Sequence, residues 1–273
     1  MKWLAPLTFF ALMALAAPQH KIFPYGWEQY DLPNGLRLIV IPTDYPNVVA
    51  LYIVVQAGSR NEVEPGKSGF AHLFEHMMFR GTRNFPPEKY EVVLKMSGAS
   101  SNAYTTDDYT AYHTTFSRED LETILALEAD RFQNLEYSPD VFRTEALAVL
   151  GEYNKNSSDP ANKLEEVLRD TAFDRHTYKH TTMGFLKDIL DMPNQFEYSR
   201  LFFERYYRPE YTTIILAGDV VPRHARSLVE KHWGHWKRGS FRPDIPAEPA
   251  PKGPRSNHIN WGSPTLPWVV VSF

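Results

Sequence analysis

The chain has 273 residues, of which 43% are hydrophobic and 14% aromatic, so it can bury a sizeable core and is not expected to be disordered. Its formal net charge is -4 with no basic run, which gives no electrostatic footprint for nucleic acid. The absence of cysteine excludes disulfides and thiolate metal sites. Any bound metal ion must therefore be held by histidine and carboxylate side chains.

Residues 1–16 are typical of a secretory signal peptide. Lys2 supplies a positive charge, an apolar stretch follows as far as residue 17, and Ala14-Leu15-Ala16 has the small-x-small pattern of a cleavage site. We place the cut after Ala16, because a later cut would put Pro18 directly behind it. An uncleaved anchor is the alternative, but the stretch is shorter than the roughly 20 residues that span a bilayer. The sequence predicts an exported chain, periplasmic or secreted, with no membrane span left after cleavage.

The first half of the mature chain is rich in strand patterns. Asn34-Gly35 separates two apolar segments and predicts a β-hairpin, because both turn positions tolerate positive φ. A β-branched, apolar run predicts a central strand at 48–57. The patterns that follow predict helices at 70–79 and 86–96, and strands at 102–105 and 109–116.

Helix patterns dominate the second half. Ser117 and Asp120 have the spacing of a capping box, which predicts that Ser117 caps a helix running to about residue 134. Ser138-Pro139 predicts the start of the next helix, running to about 156, because proline at the first helical position loses no hydrogen bond. Further helices are predicted at 161–173, 184–190, 195–207 and 222–233, with one strand at 212–217.

This order of elements predicts the fold class. Strands concentrate early and helices late, with little strict β-α alternation. We therefore expect an α+β fold, a layered sandwich of a mostly antiparallel mixed sheet with helices packed on one face, rather than a doubly wound parallel fold.

The segment His72-Leu73-Phe74-Glu75-His76 carries the strongest chemical signal. Residues four apart on an α-helix differ by about 40° in azimuth, so both histidines lie on one face and can share a tetrahedral zinc ion. Glu75 lies on the same side and can reach a water at the metal without being a ligand. The spacing is that of the inverted His-x-x-Glu-His zinc motif. Ordinary buried core histidines are the alternative, because a chance match occurs in roughly a few chains per hundred.

A third ligand is expected from the helix that starts at Pro139, because catalytic zinc usually has three protein ligands. Glu145 and Glu152 are about two helical turns apart and project from nearly the same face. Ala148 and Val149 lie on that face, so it should point inward. Carboxylates there need a partner, since unpaired buried charge is costly. A metal ion would supply one; salt-bridged or surface-reaching glutamates are the alternative.

Together these features resemble the pitrilysin and insulinase family, the M16-type zinc metallopeptidases, to which mitochondrial processing peptidases and many exported bacterial peptidases belong. The similarity covers about Tyr30 to Trp236. It includes the segments on either side of the motif, at 69–71 and 77–82, the sequence GASSNAYT at 98–105, and 209–219 with its terminal Ala-Gly-Asp.

The resemblance implies a role for each residue of the motif. His72, His76 and Glu152 would hold one zinc ion per chain, with Glu75 as the general base. Glu145 would orient a ligand histidine, a role for which zinc sites generally recruit a carboxylate. The implied reaction is zinc-dependent endopeptidase cleavage of peptides or unfolded polypeptides by a metal-activated water.

The resemblance also implies partners. Asn102 and Ala103 sit where the family lays its peptide substrate along an edge strand, held by main-chain hydrogen bonds. Family members build a closed chamber from at least two homologous halves, so a second half or a partner subunit is expected. A non-catalytic or incomplete partner half is the alternative function, and a structural zinc protein is another.

The expected domain organisation follows. Behind the signal peptide at 1–16 we place a zinc-binding catalytic domain at 17–240. A proline-rich linker follows at 241–256. Residues 257–273 would start a truncated second domain, with a strand beginning at 267.

Overall fold

The structure, a computed structural model, describes residues 23–272, so the predicted signal peptide lies outside the described residues. The strands are β1 (Glu28–Asp31), β2 (Arg37–Pro42), β3 (Val48–Val55), β4 (Ser100–Thr105), β5 (Thr110–Ser117) and β6 (Thr212–Gly218). The helices are α1 (Phe70–Met77), α2 (Pro87–Met96), α3 (Leu121–Asn134), α4 (Pro139–Asn156), α5 (Pro160–Ala172), α6 (Leu186–Asp191), α7 (Phe196–Tyr206) and α8 (Pro222–Trp233). Within 23–272 no helix combines the length and apolar character needed to cross a membrane.

One six-stranded sheet organises these elements, in the order β1-β2-β6-β3-β5-β4. Strands β2 and β6 run parallel, and every other neighbouring pair is antiparallel. The predicted mixed, mostly antiparallel sheet is therefore confirmed. β6 follows most of the helices in the chain, yet it lies between β2 and β3. The sheet therefore joins early and late parts of the sequence.

The helices cover one face of this sheet. Along β3 the side chains of Leu51 and Ile53 are 1% exposed, whereas Tyr52 between them is 37% exposed on the opposite face. Tyr112 of β5 pairs with Ile53 and contacts helices on the buried side: its hydroxyl donates to the Phe74 carbonyl of α1 at 3.2 Å. The predicted α+β layering, with helices on one face, is confirmed.

The predicted helix starts had different outcomes. Ser138 is confirmed, because its hydroxyl accepts the N–H of Val141 at 3.3 Å and α4 begins at Pro139. The capping box at Ser117 is wrong. Its hydroxyl donates to Asn47 Oδ1 at 3.0 Å, and residues 118–120 form a 3-10 turn before α3 starts at Leu121. Ser117 ends β5 beside the start of β3, so a partner across the sheet takes the hydroxyl that a local cap would have used.

The C-terminal part of the described chain, 236–272, contains neither helix nor strand. The strand predicted from residue 267 is therefore absent over 267–272. Its apolar side chains stay exposed: Val269 is 87% and Val271 67% accessible. A strand needs a neighbour to bond its backbone groups, and this segment has none within the described residues. The linker at 241–256 and the second domain from 257 stay predictions.

Candidate metal centre

Helix α1 presents the two histidines of the motif side by side. Their rings pack edge to face with centroids 4.9 Å apart. The opposite side of this short helix carries Phe70 and Phe74, both fully buried against aromatic rings of α7. The apolar side therefore fixes α1 on the core and turns His72 and His76 toward a cleft.

Helix α4 brings Glu152 to the same point. Glu152 Oε2 lies 3.6 Å from His72 Nε2 and 3.5 Å from His76 Nε2. All three atoms lie within 4.8 Å of one another. Ligands at zinc distances of about 2.0–2.2 Å and tetrahedral angles stand about 3.3–3.6 Å apart. The donor set and its spacing fit a zinc ion.

Glu145, two turns earlier on α4, lies behind this cluster. Its Oε2 is 3.7 Å from His76 Nδ1, and its Oε1 is 2.9 Å from Arg80 Nε. Burial alone would raise the pKa of Glu145, but His76 and Arg80 together hold it below its ordinary value. The same carboxylate raises the pKa of His76. Glu145 thus lies on the Nδ1 side of the His76 ring, and Nε2 of the same ring faces Glu152.

The two histidines differ in their surroundings. His72 is 8% exposed, and burial followed by the proximity of His76 lowers its pKa, which favours the neutral form that binds metals. Its Nδ1 is buried and has no hydrogen-bond partner among residues 23–272. His76 has a carboxylate behind its ring, whereas no described residue places one behind the ring of His72.

Glu75 projects into a cleft of about 540 Å³ that His72 and Glu152 also line. One of its oxygens, Oε2, accepts a hydrogen bond from Thr105 Oγ1 at 2.6 Å. The spacing of the motif predicted the position of Glu75, but Thr105 was not foreseen as its partner. The only signal was the strand pattern at 102–105, which places Thr105 and Ala103 on the same face of β4.

Strand β4 forms an edge of the sheet and carries the two residues expected to bind substrate. Asn102 is exposed, pairs with His113 of β5, and accepts the Ala103 N–H on its own Oδ1 at 2.9 Å. Among the described residues, β4 has a neighbouring strand on one side only. Its free side can pair with an extended peptide.

The far wall of the cleft comes from α5, which the sequence did not connect with the site. Its cleft-lining residues include Glu165, Glu166 and Arg169. Arg169 Nη1 donates to both carboxylate oxygens of Asp107, at 2.9 Å each, and its Nε lies 2.6 Å from Glu165. Asp107 lies in the turn after β4, so this contact links the far wall to the edge strand. No motif in the sequence signals it.

Comparison with known proteins finds two matching family descriptions. The family described as Insulinase (Peptidase family M16) matches residues 38–185, and the related description Peptidase M16 inactive domain matches 196–271. The second matched range contains β6, and this strand lies between β2 and β3, which belong to the first matched range.

Several of the relatives are named as proteases or peptidases. The chain is 29% identical over 279 residues to "Zinc protease PqqE" of Helicobacter pylori (strain ATCC 700392 / 26695), covering 100% of this chain and 62% of that protein. It is 27% identical to "Probable mitochondrial-processing peptidase subunit beta" of Schizosaccharomyces pombe (strain 972 / ATCC 24843), covering 76% and 45%. The crystal structure of a protease from Helicobacter pylori superposes with a TM-score of 0.80 at 30% identity, covering 85% of this chain and 56% of that one. The chain thus spans about half to three-fifths of the length of these relatives. With a family match over more than half of its residues, it belongs to the insulinase family, peptidase family M16.

Proposed function

We propose that this chain is the zinc-binding half of an endopeptidase that hydrolyses peptides or unfolded polypeptides. The observation that carries the proposal is the convergence of two imidazoles from α1 and one carboxylate from α4 on a single point. Three protein ligands with an open side are typical of catalytic rather than structural zinc sites. The side chain of Glu152 is 40% exposed, so the cluster opens into the cleft.

A bound zinc ion would lower the pKa of a water molecule to about 7 and polarise the scissile carbonyl. Glu75 accepts the proton of the attacking water and then donates it to the leaving amine. Thr105 holds Oε2 of Glu75, which leaves Oε1 for the proton. Glu145 keeps the His76 ring oriented from behind.

The substrate is an extended peptide that pairs with the free side of β4, along Asn102 and Ala103. Main-chain pairing gives affinity without selecting a particular sequence, which suits a peptidase acting on varied or unfolded chains. The contact of Thr105 with Glu75 supports this placement, because it puts the end of β4 beside the proposed base.

We infer that full activity needs a second homologous half or a partner subunit. The chain spans 62% of the zinc protease from Helicobacter pylori and 45% of the processing-peptidase subunit. An incomplete or non-catalytic half is the competing function, and the intact motif with Glu152 favours the catalytic one. The sequence pattern at 1–16 supports export to a periplasmic or extracellular location.

Zinc content and cleavage of an internally quenched peptide test the proposal, on the chain alone and with its second half. We expect one zinc per chain. Glu75→Gln should retain the metal and reduce turnover at least about 10²–10⁴-fold, the usual contribution of a general base. Fully active Glu75→Gln protein would refute the assigned base. A chain that binds no stoichiometric zinc would refute the whole proposal.

A further inference from the structure

The N-terminus of α1 has an unusual cap. The residue at the N-cap position is Gly69, whose φ of 91° is left-handed and which has no side chain to accept the free amides of the first turn. A Cβ atom there would come within 2.4 Å of Ile189 Cδ1, so serine or aspartate does not fit. The cap must therefore come from elsewhere in the chain.

Glu62 supplies it from a loop that precedes the helix. Its Oε2 accepts the Gly69 N–H and its Oε1 accepts the Ala71 N–H, both at 2.7 Å. The side chain is fully buried. The loop is itself fixed, because the Tyr206 hydroxyl of α7 donates to the Asn61 carbonyl at 2.7 Å. One carboxylate thus ties the first turn of α1 to the core.

A buried carboxylate is costly unless it is fully bonded. Burial raises the pKa of Glu62 to about 8, against the opposing effect of the Ala71 and Gly69 amides. Asp188 lies near enough to raise it further. The positive end of the helix dipole favours an anion at this position. Because burying Glu62 is costly, we expect this carboxylate to do more at α1 than cap the helix.

The additional role concerns His72, whose position is set by the first turn of α1. This residue directly follows Ala71, whose amide Glu62 holds. His76 has Glu145 behind its ring, but His72 Nδ1 has no such partner within the described part of the chain. With no partner at Nδ1, the orientation of His72 depends more on its backbone than that of His76 does, and Glu62 holds the backbone of the first turn.

We propose that Glu62 is a positioning residue for the metal centre, aiming His72 through the backbone as Glu145 aims His76 through its ring. The inference rests on the proposed zinc function. It predicts that loss of Glu62 weakens metal binding itself, not only the stability of the fold.

The test is zinc affinity by chelator competition, with the visible spectrum of the cobalt-substituted protein as a report on ligand geometry. In Glu62→Gln the amide nitrogen cannot accept, so one of the two N–H groups loses its partner. We expect the zinc dissociation constant to rise about 10–100-fold, as for other residues that orient ligands, and the cobalt bands to change. The matched control is Glu64→Gln, whose carboxylate bonds Arg205 at 3.0 Å instead; it should bind zinc as the parent does.

The proposal would be overturned if Glu62→Gln kept the zinc affinity and cobalt bands of the parent and only the melting temperature of the metal-free protein fell. Glu62 would then serve only to cap the helix. If Glu62→Gln does not fold, Glu62→Asp replaces it. That variant keeps the carboxyl group, but its shorter arm should reach only one amide, so a raised dissociation constant supports the proposal and an unchanged one overturns it. Parent protein that fails to bind zinc would instead refute the proposed function.

Discussion

Two consecutive helices line the cleft, and they are held in different ways. Helix α4 buries one face, with Phe142, Ala146 and Val149 fully inaccessible. Helix α5 has no buried residue and is fixed by polar contacts such as the pair of Arg169 with Asp107. A ligand must be placed to within a fraction of an ångström, and close packing provides that. Under the proposed function α5 is a wall that meets varied peptides, and such a wall needs no such precision.

The largest expected effect is on zinc affinity, and it should separate one glutamate of α4 from one glutamate of α5. Both Glu152 and Glu165 line the cleft, but only Glu152 lies within reach of the histidines. Glu152→Ala should weaken zinc binding by more than the roughly 10–100-fold typical of residues behind the ligands, because it removes a proposed ligand. Glu165→Ala, measured by the same chelator competition, should leave zinc affinity unchanged. Similar losses in both variants would show that α5 also forms the metal centre.

A second prediction concerns the edge strand that faces both helices. Thr105→Val removes the hydroxyl that donates to Glu75 while keeping the side-chain volume. A hydrogen bond to a charged group contributes about 1.5–3 kcal/mol, so kcat should fall about tenfold or more with zinc affinity retained. The control is Thr115→Val, an exposed position on β5. Unchanged kcat in Thr105→Val would mean that Glu75 needs no positioning from β4.

The smallest effect is expected on α5 itself. Arg169→Met removes the contacts with Asp107 and Glu165, but partly exposed ion pairs contribute only about 0–1 kcal/mol. The melting temperature should change little, while amide exchange over 160–172 becomes faster and KM for a peptide rises a few-fold. Arg226→Met, which breaks an exposed pair with Glu230 on α8, is the control. Faster exchange over 139–156 as well would show that the two helices are not independently held.

Much of the fold was predictable because its signals are local. A hairpin around Asn34-Gly35 joins β1 and β2 as predicted, although only Gly35 of that pair has positive φ, and Ser138 caps α4. Predictions failed where a distant partner decided the outcome. Ser117 bonds Asn47 across the sheet rather than its own helix. The apolar run from residue 267 forms no strand over 267–272, because no strand of residues 23–272 lies beside it to bond its backbone.

For the candidate site, the sequence by itself determined which groups could act: spacing along one helix places His72, Glu75 and His76 on the same side, since helical geometry is set within a few residues. It also marked Glu145 and Glu152 as carboxylates on one face of α4, but that face is inward only in part: Glu145 is buried, whereas Ala148 is exposed and Glu152 is half-exposed toward the cleft. Only the tertiary structure decided that these two sets meet, because that depends on how α1 and α4 pack on a sheet completed by β6. The tertiary structure alone also decided the contacts of Thr105 with Glu75 and of Glu62 with α1. They join residues distant in the chain through close packing, and no local pattern encodes them.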